Sequence, residues 1–379
     1  MNFNNPNIND ILNKIEGFNL NNNEILGVFI GENSKINIKK LINKLNEKDI
    51  EFFGGIFPKV VYKQKARDEN IVIKKFKSLF EDKNINKSIM VKNLYQGINK
   101  EKSKKIKKIL KNKDKKKTFI TLVDGLSENI EGFLENLYNN FGDSINYFGG
   151  GAGSLSLKQQ PCLFNNKGFH ENSALVVPVD LSCELGVKHG WQSVYGPFVA
   201  TEVENNKIKE LNWSNAFEVY KEVVNNDLNV KKADKKIDKD NFFSIAKKYP
   251  FGILQENSEK IVRDPIEVND KGEIICVGKI PSNASLNILR GEKDKLIESA
   301  KESVPQINNK ENITHNFLID CISRTLFLED DFKKELEVIS QKSKKKSIFG
   351  CLTLGEISSK GEGYIKFYNK TTVMGVFSK

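Results

Sequence analysis

The sequence predicts an α/β protein in which one unit of structure occurs three times. Each unit opens with an apolar run that is typical of a strand, at Ile25–Ile30, Thr118–Val123 and Phe317–Ile322. A polar turn follows each run, and then come apolar residues at the three- and four-residue spacing of a helix. A second strand-like run ends in glycines, at Gly54-Gly55, Gly149-Gly150-Gly151 and Gly350.

Two more strand-like runs follow each group of glycines. The whole unit is therefore expected to read strand, helix, strand, glycine turn, strand, strand. The same order in three places indicates duplication. Because strands and helices are mixed in each unit, we expect two mixed-sheet domains rather than a plain doubly wound fold. An N-terminal helical segment over residues 1–23 would precede a domain over residues 24–212, which contains a basic linker at about 100–117, and a second domain over residues 213–379.

The remaining elements follow from the same patterns in chain order. A short amphipathic helix is predicted before the first unit, and closing strands are predicted at the end of every unit. Further helices are predicted between the second unit and the third. These elements are the helix Asn7–Phe18, the strands Lys59–Tyr62, Ile71–Phe76, Pro161–Phe164 and Ala174–Val179, the helices Trp213–Asn225 and Glu292–Val304, and the strands Tyr364–Tyr368 and Thr372–Phe377.

The charge of the chain is concentrated in one stretch. The net charge is +11 over 379 residues, and the stretch Lys100–Lys117 holds eleven lysines. Nucleic-acid binding is one interpretation of such a stretch. Because the stretch contains no aromatic residue that could stack on bases, we favour a solvated basic linker or helix face and expect no nucleic-acid partner.

The cysteines and the chain start predict the compartment. The five cysteines are an odd number, are widely spaced and form no CxxC pair, which is typical of buried thiols in a reducing cytoplasm. The first residues have no basic region followed by an apolar one, and no apolar stretch is long enough to span a bilayer. We therefore expect a cytoplasmic protein with no membrane partner.

Gly150, Gly151, Ala152 and Gly153 form the most glycine-rich stretch. A phosphate-binding loop needs Gly-Lys followed by Ser or Thr, and a Rossmann fingerprint needs a glycine where Ser154 stands. The stretch therefore predicts either a close crossing of two strands or a bare backbone that lines a small-ligand pocket.

His189-Gly190-Trp191 combines a rare histidine with a rare tryptophan, since the chain has three histidines and two tryptophans. A glycine between two large residues indicates the close approach of another group. One interpretation is a hydrogen-bonded core histidine, and another is a ligand contact. No histidine pair has metal-ligand spacing, so no multi-histidine metal site is predicted. A single axial haem ligand needs no spacing, and His189 or His170 could serve.

Arg324 and Glu356 are candidate charged contacts. Arg324 follows Cys321 at the end of a predicted strand, where a guanidinium could hold a carboxylate or phosphate in a bidentate grip. Glu356 follows the third group of glycines, where it could take an amine. The alternative is an internal ion pair, for example between these two residues. No nucleophile–base pair stands out, and we therefore expect no enzyme activity.

These residues resemble a known family. Gly150–Gly153, His189–Trp191 and Gly196-Pro197-Phe198 resemble signatures of the FIST family (F-box and intracellular signal transduction proteins). The resemblance continues through further signatures in order, at Glu210-Leu211, Ala216, Tyr220, Val262-Arg263, Cys321, Arg324, Glu335-Leu336, Gly350, Gly355-Glu356-Ile357, Asn369 and Thr371. It covers the chain from about Glu24 to Phe377.

The resemblance implies a FIST N-like domain followed by a FIST C-like domain in a sensory, signal-transduction protein. It implies binding of a small ligand, with amino acids proposed, and some members of the family bind haem b and respond to nitric oxide. FIST modules are often joined to histidine kinase, diguanylate cyclase or chemoreceptor output domains. The sequence shows no stretch for such a domain, so we expect signalling in trans to a two-component or similar partner, and a scaffold without a ligand is the third alternative.

Overall fold

The computed structural model describes residues 1–4, 6–82, 85–111, 113, 116–228, 236–256, 259–307, 312–343, 347–359 and 364–379. The α/β fold class is confirmed, and the repeated unit is found three times. Each copy is longer than the sequence predicts, because a leading strand and a helix precede the predicted strand–helix–strand core. The amphipathic helix near the N-terminus and the basic stretch supply these extra helices in the first two units.

The first unit (residues 2–77) and the second unit (residues 89–179) have the same eight elements in the same order. In the first unit these are β1 (Asn2–Asn4), α1 (Ile8–Glu16), β2 (Glu24–Gly31), α2 (Ile38–Glu47), β3 (Phe52–Phe57), β4 (Lys59–Tyr62), β5 (Lys65–Arg67) and β6 (Asn70–Lys77). In the second they are β7 (Ile89–Val91), α3 (Lys100–Leu110), β8 (Lys117–Asp124), α4 (Ile130–Phe141), β9 (Ile145–Ala152), β10 (Leu163–Asn165), β11 (Gly168–His170) and β12 (Ala174–Val179).

The third unit (residues 182–378) repeats this order around an inserted lobe (residues 192–290). It begins with β13 (Ser182–Lys188). The lobe holds β14 (Gln192–Val199), β15 (Glu202–Glu204), β16 (Lys207–Leu211), β17 (Ser214–Asn215), α5 (Ala216–Asp227), α6 (Phe242–Ala246), β18 (Phe251–Ile253), β19 (Ile261–Arg263), β20 (Pro265–Val268), β21 (Ile274–Cys276) and β22 (Ser285–Arg290). The unit continues with α7 (Lys293–Glu302), β23 (Ile313–Cys321), α8 (Ile322–Leu328), α9 (Phe332–Lys342), β24 (Ile348–Thr353), β25 (Glu356–Ser358), β26 (Lys366–Tyr368) and β27 (Thr372–Ser378).

Three six-stranded sheets arise because every unit gives its hairpin to another unit. The orders are β1-β6-β2-β3-β10-β11, β7-β12-β8-β9-β25-β26 and β13-β27-β23-β24-β4-β5. The hairpin of the second unit extends the sheet of the first, the hairpin of the third extends the second, and the hairpin of the first extends the third. The exchange closes a ring of three units. The predicted domain boundary at residues 212 and 213 falls inside the lobe, between β16 and β17.

The three sheets enclose one common core. It contains inward-facing phenylalanines from every unit, and Phe317 stacks on Phe349 with ring centroids 4.5 Å apart. Helices cover the outer face of each sheet, and their amphipathic spacing explains this because only one side of each helix is apolar. The lobe has a separate core around Tyr220, Phe242 and Phe251.

The repeated glycines lie inside strands and not at turns, which corrects the sequence prediction. Gly54, Gly149 and Gly350 occupy equivalent positions in β3, β9 and β24. A Cβ atom on them would lie 2.1, 1.8 and 2.0 Å from a carbonyl oxygen of the neighbouring parallel strand. The close crossing of two strands, one of the two alternatives predicted from the sequence, therefore requires glycine here.

The basic stretch forms a helix of the second unit. Helix α3 covers Lys100–Leu110 and buries Ser103 and Ile106, while most of its lysines are exposed. Residues 112, 114 and 115 of the stretch lie outside the described residues.

Candidate functional site

The candidate site is the connector Asn369–Thr371 between β26 and β27, together with the charged groups around it. Its three residues are 2%, 1% and 0% exposed. The equivalent connectors of the first and second units are open to solvent at Glu69 and at Glu171-Asn172. The connector of the third unit is buried because β19 of the inserted lobe and the residues after it pack against it.

Arg324 is fully buried and lies in α8, not at the end of a strand as the sequence predicts. Its Nη2 donates to Glu335 Oε2 at 2.5 Å and to the Leu296 carbonyl, and its Nε lies 3.3 Å from Asp320 Oδ1. Its Nη1 donates to two main-chain carbonyls, those of His189 and Lys370. The guanidinium therefore pairs with Glu335 and Asp320 and not with Glu356, and its Nη1 donates to main-chain carbonyls alone.

Glu356 is fully buried at the start of β25. Its Oε1 accepts from the Thr353 hydroxyl at 3.1 Å, and its Oε2 accepts from the Thr371 amide at 3.2 Å. Burial raises the pKa of this carboxyl well above its ordinary value, although the hydrogen bonds from Thr353 and Cys321 oppose the shift. Burial thus favours the neutral form of Glu356 next to the connector.

Lys370 extends from the connector into a cage formed mainly by the lobe. Its Nζ lies 3.1 Å from Asp264 Oδ1, donates to the Lys247 carbonyl at 3.0 Å and sits 4.9 Å from the Trp191 ring centroid. Trp191 is 2% exposed, and its Nε1 donates to the Lys370 carbonyl at 3.0 Å. Burial raises the pKa of Asp264, and the ammonium of Lys370 opposes this shift.

Asn369 anchors a second cation of the lobe. Its Oδ1 accepts from Nη1 of Arg263 at 3.1 Å, and the same nitrogen donates to the Phe367 carbonyl. Nη2 of Arg263 lies 3.4 Å from Glu131 of helix α4. Gly278, at φ +81°, leaves room for this guanidinium, since a Cβ there would lie 3.0 Å from Arg263 Nε.

His189 lies in the break between β13 and β14, and not within a strand. Its Nδ1 accepts from the Trp191 amide at 2.9 Å, and its Nε2 lies 3.6 Å from Glu259 Oε1. Burial lowers the pKa of His189 to about 4, with Glu259 opposing the shift and Arg324, Lys260 and Lys188 adding to it. The imidazole is therefore neutral at neutral pH.

An axial haem ligand needs a ring nitrogen without a protein partner. His189 does not fit this requirement, because both of its ring nitrogens face protein groups. His170, at the end of β11, has a buried Nε2 that makes no hydrogen bond within the described residues. His170 therefore meets the requirement, and His189 as the axial candidate is corrected.

The glycine-rich strand end packs against the candidate site. Gly150 pairs with Glu356 across β9 and β25, and the Gly151 amide donates to the Gly355 carbonyl. The Gly153 amide donates to the Ile56 carbonyl. A Cβ on Gly150 or Gly151 would lie within 3.0 Å of the Leu354-Gly355 backbone. The amides of Gly151 and Gly153 are therefore used within the protein, and Ala152 continues the buried strand.

The predicted residues converge on one region. The contacts described above link six of them through the connector: Gly150, Glu356, Asn369, Trp191, His189 and Arg324. Sequence reasoning missed Lys370, Asp264 and Asp320. The missed signals were charged residues at places that read as apolar or as turns: Asp320 interrupts an apolar strand run, and Asp264 follows Val262-Arg263 in a strand-like stretch.

Three further properties concern the described part of the chain. No group of three or more His, Cys, Asp or Glu residues there could hold a metal ion. Among the helices described, none is long and apolar enough to cross a membrane. All five cysteines are buried free thiols.

Comparison with known proteins gives two matches, which together cover most of the chain. Residues 25–214 match the FIST N domain, and residues 216–359 match the FIST C domain. Domains of this kind are found in sensory proteins of signal transduction. No curated protein matched the chain.

Proposed function

This chain belongs to the FIST family, and we propose that it is a sensor that binds a small amino-acid-like ligand at the connector Asn369–Thr371. The carrying observation is a cluster of buried ionisable groups around the connector, where Arg324, Glu335, Asp320 and Glu356 are all 0% exposed. Buried ionisable groups are costly and gather at functional sites, because function there outweighs the loss of solvation.

The equivalent positions in the other units support this interpretation. In the strand register, Asp320 corresponds to Ile30 and Val123, and Glu356 corresponds to Val60 and Leu163. The apolar versions show that the fold itself does not require charge at these positions. The ionisable residues at these two positions are therefore particular to the third unit, which supports a role in ligand binding.

The proposed ligand carries both a carboxylate and an amine. Arg324 would hold the carboxylate through its Nη1 edge, where a charged oxygen would replace a neutral carbonyl acceptor. Glu356 was predicted to hold the amine, and this role stays a prediction. Gly150–Gly153 would form the wall of the site beside Glu356.

The signal would pass through the inserted lobe, because Arg263 and Asp264 of the lobe contact the connector directly. We propose a separate output protein as the receiver, of the histidine kinase, diguanylate cyclase or chemoreceptor type. We also propose that the chain works in the cytoplasm, which suits its five free thiols, and that it catalyses no reaction itself.

A thermal-shift screen tests the ligand. The purified chain would be scanned with amino acids, with amines that lack a carboxylate and with carboxylic acids that lack an amine. We expect one group of amino acids to raise the melting temperature in a concentration-dependent way. Arg324→Lys should reduce the affinity at least tenfold, because one ammonium cannot both keep the contacts to Glu335 and Asp320 and meet the ligand carboxylate as Nη1 does.

The matched control is Asp180→Asn. Asp180 is also a buried carboxylate, 7% exposed and paired with Lys77, Lys113 and Lys117, but it lies away from the connector. This variant should keep the affinity of the native chain even where its melting temperature falls. An equal loss of affinity in both variants, or no response to any amino acid, would overturn the proposed site.

The haem-based nitric-oxide sensor is the second candidate, favoured by His170, whose buried Nε2 has no hydrogen-bond partner among the described residues. It predicts a Soret band when haem is added, a shift of that band with nitric oxide, and loss of the band in His170→Ala but not in His189→Ala. A scaffold is the third candidate, and it predicts partner binding that neither an amino acid nor haem alters.

A further inference from the structure

Lys370 contributes two polar groups to the candidate site, the ammonium of its side chain as a hydrogen-bond donor and its main-chain carbonyl as an acceptor. Its ammonium lies between Asp264, the Lys247 carbonyl and the Trp191 ring, while its carbonyl oxygen accepts from Trp191 Nε1 and from Arg324 Nη1. A carboxylate, a carbonyl and an aromatic face together are the groups that recognise an alkylammonium ion. The side chain is 1% exposed, so the ammonium is removed from water.

The backbone at Lys370 is strained. Its φ is +50°, in the left-handed region that disfavours residues with a side chain. Asn172, which follows β11 as Lys370 follows β26, has φ +45°. The fold thus imposes this conformation on both connectors. Asn172 is exposed, so a buried cage around the side chain is particular to the third unit.

The cage joins two parts of the molecule. Asp264 and the Lys247 carbonyl belong to the inserted lobe, whereas Trp191 lies just before it and packs on Gly291, where a Cβ would come within 2.2 Å of the indole. Removal of the ammonium from the cage would therefore break polar contacts between the lobe and the third unit. The occupancy of the cage is coupled to the position of the lobe.

We infer that Asp264, Trp191 and the Lys247 carbonyl form a binding site for a primary alkylammonium group, which Lys370 fills as a tethered substitute and a ligand amine displaces. This inference rests on the proposed function and changes one detail of it, since Asp264 takes the place predicted for Glu356. Because Arg324 Nη1 donates to the Lys370 carbonyl as well as to that of His189, a displacement that moves the connector would let a ligand carboxylate replace the first of these acceptors.

Competition from the tethered lysine has a measurable consequence. A group held on the same chain has an effective concentration in the millimolar range or above. A free amine must compete with it, and its apparent affinity falls in proportion to the fraction of protein in which the cage is open. Replacement of Lys370 by alanine removes the competitor and leaves Asp264 without its cation.

Fluorescence of Trp191 provides a direct readout. The chain has two tryptophans, and the other one, Trp213, is 79% exposed. Trp213→Phe therefore leaves Trp191 as the single indole. The probe is n-butylammonium, which has the length and charge of the lysine side chain. Butanol and sodium chloride serve as controls for the apolar chain and for ionic strength.

We expect a saturable change of Trp191 emission when n-butylammonium is added to Lys370→Ala in the Trp213→Phe background. The change should be absent when Asp264→Asn is added. The Trp213→Phe protein that keeps Lys370 should respond at concentrations at least tenfold higher. This protein has an unchanged cage, so it still tests the site if Lys370→Ala does not fold.

The outcomes separate the inference from the proposed function. No saturable response in either protein would overturn the ammonium site, and a response only after removal of Lys370 would overturn displacement. A response to n-butylammonium without any response to amino acids would leave the ammonium site standing and reject the amino-acid sensor. An equal response to butanol would also overturn the inference.

Discussion

The second and third units have equivalent strands, and both have a glycine inside the second core strand. Both also have a left-handed residue in the connector, Asn172 in the second unit and Lys370 in the third. The residues near the ends of their strands differ. Where the second unit has Val123 and Leu163, the third has Asp320 and Glu356, all of them buried. The connector of the second unit is open at Asn172, and that of the third lies beneath the inserted lobe. Apolar packing therefore builds the ring of three units, and charged residues are added at the connector that the lobe covers.

The largest expected effect comes from breaking the buried ion pair of the third unit. Glu335→Ala should lower the free energy of unfolding by about 3–5 kcal/mol, because Arg324 would keep a buried charge without its main partner. Chemical denaturation measures this change.

The control lies on the same helix. Glu337 makes a long, partly exposed contact of 3.9 Å with Lys333, so Glu337→Ala should cost less than about 0.5 kcal/mol. Similar losses in both variants would show that the third unit does not depend on its buried charges.

The second effect concerns what the units share. Gly54→Ala, Gly149→Ala and Gly350→Ala should each cost about 2–4 kcal/mol, since each Cβ would overlap a carbonyl oxygen of the adjacent strand. Gly142→Ala is the control, because open space surrounds that position and only its φ of +57° opposes alanine, at about 1 kcal/mol. If one of the three strand glycines tolerated alanine, the equivalence of the units would be broken at that position.

A third effect appears at low pH. Because burial lowers the pKa of His189 from 6.5 to about 4, the folded protein favours the neutral ring. The stability that the neutral His189 ring contributes is complete above pH 6.5, the pKa of the unfolded chain. It is lost as the pH falls from 6.5 to about 4, by up to about 3 kcal/mol. His189→Asn keeps an acceptor for the Trp191 amide but does not titrate. Its stability relative to the native chain should rise as the pH falls, and parallel pH curves would contradict the prediction.

The smallest expected effect comes from Glu356, whose contribution to stability falls as the pH rises, opposite to that of His189. The raised pKa of Glu356 stabilises the folded state at low pH, and this stabilisation is lost as the pH rises above the ordinary glutamate value of 4.5 towards the folded value. Glu356→Gln should change stability by less than about 1 kcal/mol at acidic pH and gain on the native chain as pH rises. Denaturation curves at several pH values measure this, and a difference in stability between Glu356→Gln and the native chain that does not change with pH would contradict the prediction.

The sequence was a good guide to local structure and a poor guide to distant pairing. Apolar periodicity located the strand–helix–strand cores, because each depends on residues that are close together in the sequence. The ring could not be predicted, because the partners of each hairpin lie in other units. Gly54, Gly149 and Gly350 were found by composition, but their place inside strands follows from backbone contacts alone.

The same limit applies to the candidate site. Arg324 and Glu356 stood out as charged residues beside apolar runs, whereas Asn369 was singled out by the family resemblance alone. Lys370 did not, because one lysine among many carries no local signal in a lysine-rich chain. Its cage is visible only when Asp264 and Trp191, more than a hundred residues earlier, are brought next to it.

The exchange of hairpins also sets a schedule for synthesis on the ribosome. Strand β4 is complete at Tyr62, whereas its partner β24 begins at Ile348. At roughly 5–20 residues per second, the first hairpin waits about 15–60 seconds for its place in a sheet. Lys63, Lys65 and Arg67 put positive charge on the waiting hairpin, which discourages its pairing with other nascent chains. A product truncated before the third unit would keep that edge exposed and become a client of chaperones and proteases.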